Sequence, residues 1–190
     1  SDEEIGYMLR HIGMKVFDKV ARARTGYFTS LSVLAATKSA ARYVGMELGR
    51  CTVAIEGFGK VGSSLANELS KEGARVVAVS TSEGAIYSEK GLDVGELTRL
   101  YKELGSSFIK SYSNADLIEK GQLLELKVDV LSPCAEYHSI DSDKADRIQA
   151  RVVCSGANIP AMPEAEQILY QKGVLSVPYF AANCGGVLGG

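Results

Sequence analysis

The turn Gly57-Phe58-Gly59-Lys60-Val61-Gly62 constrains the fold more than any other stretch of the chain. It follows Thr52-Val53-Ala54-Ile55, a short β-branched run, and opens a helical pattern from about Val61 to Lys71. Glycines fall at this spacing by chance in many sequences, but between a strand and a helix each has a physical task. Gly57 permits a tight turn off the strand. Gly59 lets a pyrophosphate approach the backbone with no Cβ in the way, and Gly62 lets the helix pack closely on the strand. The helix N-terminus then offers N–H groups and the positive end of its dipole to phosphate. The plainer alternative is a strand-to-helix turn with no ligand.

Such a turn belongs to a βαβ unit, and the rest of the chain supplies more of them. Arg75–Val79, Val128–Leu131, Arg151–Cys154 and Val174–Val177 are further short apolar runs. Helical patterns separate them at Asp93–Leu104, Ser142–Ile148 and Pro163–Gln171. Near-continuous apolar strands alternating with helices predict a parallel sheet covered on both faces. The fold class is therefore α/β, a Rossmann-like doubly wound sheet of about five or six strands, five of them parallel. The polar stretch Thr81–Gly91 is expected to be a loop or small hairpin.

Ahead of the first strand the pattern is helical. Met8, Ile12, Val16 and Val20, with Leu9 and Phe17 beside them, form one apolar stripe. Gly26 is the natural break after it, and Thr29 or Ser30 is placed to cap a second helix running to about Leu48. The expected organisation is N-terminal helices over residues 1–48 packed on a nucleotide-binding unit over 49–190, as one structural domain.

Several function classes drop out. A net charge of −2 over 190 residues gives no basic surplus for nucleic acid. No apolar run approaches the ~18–20 residues needed to span a bilayer. The acidic start Ser1-Asp2-Glu3-Glu4 is unlike a secretory signal. Cys51, Cys134, Cys154 and Cys184 form no CxxC pair, and His11 and His138 are the only histidines, which argues against zinc and a disulfide framework. Reduced structural cysteines in a cytoplasmic protein are expected.

An acidic residue about 20 residues past such a turn usually takes the adenosine ribose. Here the chain reads Ser80-Thr81-Ser82-Glu83, with Thr81 at the strand tip and Glu83 two residues on. Either Glu83 reaches the ribose or it is a solvated loop charge. No arginine lies between Ser80 and Glu89 to fork onto a 2′-phosphate, so a modest preference for NAD is expected, with NADP also accommodated.

Beyond the turn, several separate motifs stand in one order: Arg24-Thr25-Gly26; Val53 to Gly62; Val77-Ala78-Val79-Ser80 with Gly84-Ala85-Ile86-Tyr87; Ser132-Pro133-Cys134-Ala135; Ser155-Gly156-Ala157-Asn158 with Pro163-Glu164-Ala165; and Asn183-Cys184-Gly185-Gly186-Val187. In these the chain resembles, over about residues 23–188, the cofactor domain of the glutamate/leucine/phenylalanine/valine dehydrogenases, and within that family the glutamate-type enzymes most. The resemblance implies NAD(P)-dependent oxidative deamination of an L-amino acid to a 2-oxo acid. It agrees with Gly57, Phe58, Gly59, Lys60, Val61 and Gly62 holding the pyrophosphate. Cys134 and Ala135 would line the adenosine end, while Thr25, Asn158 and Asn183 would face the nicotinamide. Turn chemistry is the alternative for both asparagines.

The chain departs from the pattern in telling places. Lys60 replaces a frequent asparagine, Ile159 a glycine, and Tyr179 a frequent aspartate. The family's catalytic lysine and aspartate sit in a preceding substrate domain, and nothing before residue 23 matches it. His138 and Glu136 are the nearest acid–base candidates, with a solvated loop pair as the blander alternative. No catalytic residue is assigned. The chain alone is expected to be inactive and cut short at its end, its partners being a dinucleotide, an amino acid only through a separate catalytic domain, and a second copy in a homo-oligomer. The alternative is a non-catalytic NAD(P)-binding regulatory or sensor module.

Overall fold

The computed structural model describes residues 25–188. The stripe from Met8 to Val20, Arg24, and the terminal Gly189-Gly190 lie outside the described residues. Helices and strands follow one another as α1 Thr25–Tyr43, β1 Thr52–Glu56, α2 Lys60–Lys71, β2 Arg75–Thr81, β3 Gly84–Tyr87, α3 Val94–Leu104, β4 Asp116–Ile118, β5 Val130–Pro133, α4 Ser142–Arg147, β6 Val152–Cys154, α5 Pro163–Gln171, β7 Leu175–Val177, α6 Tyr179–Ala182 and α7 Gly185–Leu188.

Seven strands make one sheet in the order β4-β3-β2-β1-β5-β6-β7. The five expected strands are there and parallel: β1 pairs with β2 and β5, β5 with β6, and β6 with β7. Two antiparallel strands extend the β2 edge. The stretch after Thr81 is the hairpin partner β3, joined to β2 through Ser82 and Glu83. β4 was not foreseen, because Asp116 and Leu117 are exposed and an edge strand of this kind has no buried alternation to reveal it.

Both faces of the sheet are covered, as the near-continuous apolar strands require. On one face Val53, Ile55, Val76 and Val79 pack with Val33 and Ala41 of α1, Leu65 and Leu69 of α2, and Leu97 of α3. On the other, Ala54, Val77, Leu131 and Val153 pack with Ala145 of α4 and Ala165 and Leu169 of α5. Helix α2 reaches the sheet through Gly62, Leu65, Ala66 and Leu69, the i, i+3, i+4, i+7 spacing of one helical face.

The N-terminal region differs from expectation at both ends of its helix. α1 already includes Thr25, four residues before Thr29, which is buried within it. The hydroxyls of Thr29 and Ser30 donate back to the Thr25 and Tyr27 carbonyl oxygens at 2.9 and 2.7 Å, so both residues sit inside the helix and do not cap it. Gly26 is no break: a Cβ there would lie 3.0 Å from Lys60 Cβ, so its small size lets α1 approach the glycine turn. The helix ends at Tyr43, short of Leu48, where Gly45 takes φ of 77° and its N–H bonds the Arg42 carbonyl at 3.0 Å.

Ile159 has φ of 43°, a left-handed conformation that is costly for a β-branched side chain. Neighbouring bonds hold it there, since His138 N–H donates to the Ile159 carbonyl at 2.7 Å and Ile140 N–H to the Pro160 carbonyl at 2.9 Å. Because glycine tolerates this φ and Ile159 is 43% exposed, Ile159→Gly should raise stability by about 0.5–1 kcal/mol in urea denaturation. A loss of stability would show that the Ile159 side chain contributes more by packing than its backbone costs.

Candidate functional site

A cleft of about 280 Å³ opens at the carboxyl ends of the central strands, lined by residues that include Gly57, Phe58, Gly59, Thr81, Cys134 and Ala135. Ligands of open α/β sheets bind in such a position. Three independent stretches of the chain meet there because β1 lies between β2 and β5.

The three turn glycines are required for different reasons. Gly57 has φ of 91°, and a Cβ on it would meet Ala135 at 2.8 Å. A Cβ on Gly62 would lie 1.8 Å from the Gly57 carbonyl oxygen, so α2 could not pack on β1 with any side chain there. Gly59 has no such reason: its φ is −89°, and a Cβ would meet nothing within 4 Å. The chain itself has no use for a glycine at 59. A ligand pressed against the backbone does.

The turn is also anchored. Gly57 N–H donates to Ser80 Oγ at 2.9 Å, and Phe58 N–H to the Ser80 carbonyl at 2.7 Å. The Phe58 ring, 1% exposed, lies 5.7 Å from the Tyr101 ring and 5.3 Å from Phe108, tying the turn to α3 and to the 105–110 segment. Gly59 is the N-cap of α2 and offers no side-chain cap. By contrast, Asp93 caps α3 through Glu96 N–H, and Asp141 caps α4 through Lys144 N–H, both at 2.9 Å. An anion would supply the missing acceptor at the start of α2 and meet the positive end of its dipole.

At the tip of β2, the buried Thr81 hydroxyl donates to the Ser106 carbonyl at 3.0 Å and accepts from Glu83 N–H at 3.1 Å. Its single proton is thus already committed. Glu83 is not among the residues lining the cleft. Its carboxylate pairs with Lys110 Nζ at 2.6 Å, and that hydrogen bond and charge hold the carboxyl below its ordinary range. Lys90 is exposed.

On the opposite wall Lys120 pairs with Glu136 at 3.0 Å, and both line the cleft. His138 is exposed at φ of 55°, its ring 5.0 Å from that of Tyr137. Burial pushes the Cys134 thiol up to about 12, against the Gly156 backbone N–H that favours the thiolate, so this sulfur stays protonated and is no nucleophile. All four cysteines are free; Cys51 and Cys154 are buried, whereas Cys134 and Cys184 are only half-buried. Among the described residues no cluster of His, Cys, Asp or Glu could hold a metal.

The remaining expected residues gather to one side of the turn. Asn183 Nδ2 donates to Asn158 Oδ1 at 2.8 Å and to the Ala157 carbonyl at 3.3 Å, which joins the loop after β6 to the loop before α7. That second loop docks on α1 through its glycine pair: a Cβ on Gly185 would lie 2.1 Å from the Phe28 carbonyl oxygen, and one on Gly186 would lie 3.2 Å from Thr25 Cγ2. A Cβ on Gly156 would lie 2.7 Å from Val61 Cγ1, so this cluster abuts α2 and the turn. Sequence reasoning left Ser80, Ser82, Tyr101, Ser106, Lys110 and Lys120 without a role here, and it named Glu136 only as an acid–base candidate. The serines after the second strand were a legible signal, but Lys110 and Lys120 come from short helical turns that no periodicity marks.

The sequence signature of the Glutamate/Leucine/Phenylalanine/Valine dehydrogenase family matches residues 22–189. Glutamate dehydrogenase of Thermotoga maritima is 46% identical over 145 residues, 76% of this chain and 34% of that protein. NADP-specific glutamate dehydrogenase A1 of Halobacterium salinarum is 38% identical over 160 residues, 84% of this chain and 38% of that protein. Among solved structures, the hetero-hexameric glutamate dehydrogenase of Thermus thermophilus in its Leu-bound form superposes with a TM-score of 0.79 at 34% identity, covering 86% of this chain and 38% of that one. The chain thus spans a little over a third of the length of such relatives.

The different tasks of the turn glycines make a direct test. Gly62→Ala should lose more than ~3 kcal/mol or fail to fold, because backbone must move to admit the methyl group. Gly59→Ala should stay within about 1 kcal/mol of the starting protein. Urea denaturation of both variants checks this, and equal losses would mean that Gly59 also serves the fold.

Proposed function

The chain belongs to the glutamate/leucine/phenylalanine/valine dehydrogenase family, and from that premise we propose that it holds the NAD(P) of an amino-acid dehydrogenase of glutamate type. The observation that carries this reading is the open space over Gly59, at an uncapped helix start inside a turn whose other two glycines are sterically required. A dinucleotide pyrophosphate suits that space, its oxygens accepting from the first N–H groups of α2. The adenosine would run toward Thr81 and Ala135, and the nicotinamide toward Thr25, Asn158 and Asn183.

The bound dinucleotide supplies the hydride acceptor, and this chain's residues bind and orient it. The parent reaction on this reading is oxidative deamination of an L-amino acid to a 2-oxo acid. The titratable groups of the cleft do not support a proton-abstracting role, since Lys120 and Glu136 neutralise each other and the Cys134 thiol stays protonated. We assign the substrate chemistry to a separate catalytic domain of the same protein. Free cysteines suit a reducing cytoplasm, and the exposed Phe180, Val187 and Leu188 suit a subunit contact in a homo-oligomer. Among the described residues no helix is long and apolar enough to cross a membrane.

The 190-residue chain should bind NAD in calorimetric titration and give no reduced-nicotinamide absorbance with a panel of L-amino acids. Gly59→Val should weaken binding at least about tenfold, ~1.4 kcal/mol, by filling the pyrophosphate space. Equal affinities in two folded proteins would move the site elsewhere, and amino-acid-dependent turnover would overturn the assignment of the chemistry to another domain.

Cofactor choice follows from the tip of β2. Thr81 has no proton left to give a 2′-phosphate, and Lys110 is already held by Glu83. NAD should therefore bind modestly tighter than NADP at one ionic strength. Glu83→Ala should narrow the gap, because it removes a carboxylate and releases Lys110 toward a phosphate. Tighter NADP binding in the starting protein would exclude Glu83 as the discriminating residue.

A further inference from the structure

Lys120 and Glu136 line the same cleft as Thr81 and Ala135, and the binding scheme above gives neither of them a ligand. Lys120 Nζ lies 3.0 Å from Glu136 Oε1. Their side chains are 38% and 68% exposed, and an ion pair so open to water adds little to stability. The two segments that carry them are fixed by other means. The 120–125 turn is anchored in the core by Leu123 and Leu124, and at its start Gln122 Oε1 accepts from Glu119 N–H at 3.0 Å. The loop after β5 is tied at its start by Cys134 N–H to the Glu56 carbonyl at 2.7 Å. Toward its end the Ser139 carbonyl accepts from Lys144 Nζ at 2.9 Å. The fold has little use for this pair, yet it sets a cation and an anion side by side on one wall of the cleft.

At about 280 Å³ the cleft is small for a whole dinucleotide and suits one nucleoside of it. With the pyrophosphate over Gly59 and the ribose toward Thr81, the base is the part left to meet Lys120 and Glu136. Adenine presents a donor, the N6 amine, and an acceptor, N7, along one edge. A carboxylate only accepts and an ammonium only donates, so Glu136 and Lys120 together carry the complementary pattern. Their spacing fits as well. N6 and N7 stand about as far apart as the two charged atoms of the pair, whereas N6 and N1 share a carbon and stand closer.

We propose that Lys120 and Glu136 read the adenine of the dinucleotide: the Glu136 carboxylate accepts from the N6 amine while the Lys120 ammonium donates to N7. The inference rests on the dinucleotide reading of that cleft. Hypoxanthine and guanine carry a carbonyl oxygen at position 6, which makes both groups of this edge acceptors. The Glu136 carboxylate then faces an oxygen with no proton between them, and the pair rejects the wrong base as well as holding the right one. Ala135, exposed on the same loop as Glu136 and packed against Gly57, offers its methyl group to the face of the base. Because the pair is already formed in the empty cleft, its two charged groups meet the base with little ordering left to do.

The experiment titrates the 190-residue chain with NAD and with nicotinamide hypoxanthine dinucleotide, which has an oxygen at position 6 of the base where NAD has the amine. NAD should bind at least about fivefold tighter, the low end for a two-point base contact because this pair is open to water. Glu136→Gln should bring the two affinities within about twofold, since an amide accepts from the amine or donates to the oxygen equally well. Lys120→Met should weaken both ligands about threefold and keep their ratio, because N7 is common to the two bases. A variant that only disturbed the surface would leave the ratio untouched in both cases. Equal affinities of the wild type for the two dinucleotides overturn the inference with no variant needed, and so does a preference that survives Glu136→Gln. If the wild type binds neither dinucleotide, AMP and IMP are compared through the amide resonances of Lys120 and Glu136. Shifts given by AMP and withheld by IMP would then overturn the function proposed above and leave the base reading in place, whereas equal or absent shifts would overturn both.

Discussion

The Gly57 carbonyl oxygen occupies the place where a side chain at position 62 would have to go. That one close approach presses the first turn of α2 onto the end of β1, and much else follows from it. The helix N-terminus is brought to the sheet's carboxyl edge, uncapped, while Leu65, Ala66 and Leu69 are carried down onto the face of Val53 and Ile55. Ser80 fastens the turn to β2 through both its hydroxyl and its carbonyl. Phe58, flanked by Tyr101 and Phe108, keeps the backbone of the turn from swinging away from the sheet.

Around this fixed point the site divides by chemistry. Toward β2 the wall is made of hydroxyls whose bonds are already assigned, with Glu83 and Lys110 paired just beyond it. Toward β5 it is a loop tied at both ends and crossed by the Lys120–Glu136 pair. Toward β6 and α7 it is amide chemistry, with Asn158 and Asn183 bonded to each other. The last region depends on α1, because Gly185 and Gly186 allow the C-terminal loop to lie against Phe28, Thr29 and Thr25. Helix α1 is therefore part of what orders the site and shares the core of the sheet through Val33 and Ala41.

How much of this was legible in the sequence depends on how local the cause was. The parallel strands and the helices between them came from apolar runs, whose burial on both faces leaves a direct trace in composition. The turn was legible because its glycines stand between a strand and a helix, where close packing requires two of them. β4 left no trace because it is an exposed edge. The start of α1 was misplaced because Thr29 and Ser30 look like caps, while their hydroxyls satisfy carbonyls within the helix. Lys110 and Lys120 were missed for a shared reason. Their roles are set by partners 27 and 16 residues away in sequence, and charge pairing over such separations follows from topology and from no local pattern. Several short motifs in one register carried the family assignment where a single turn would not have.

The central claim is that one ligand spans both halves of this site, with its charged middle on the turn. Backbone amide resonances followed during an NAD titration test it most directly, because they report every position of the chain at once. The account predicts the largest shifts at Phe58 to Gly62, with smaller ones at Thr81 and Ala135 on one side and at Asn158 and Asn183 on the other. Shifts that spare the turn, or that stop on one side of it, would contradict the account.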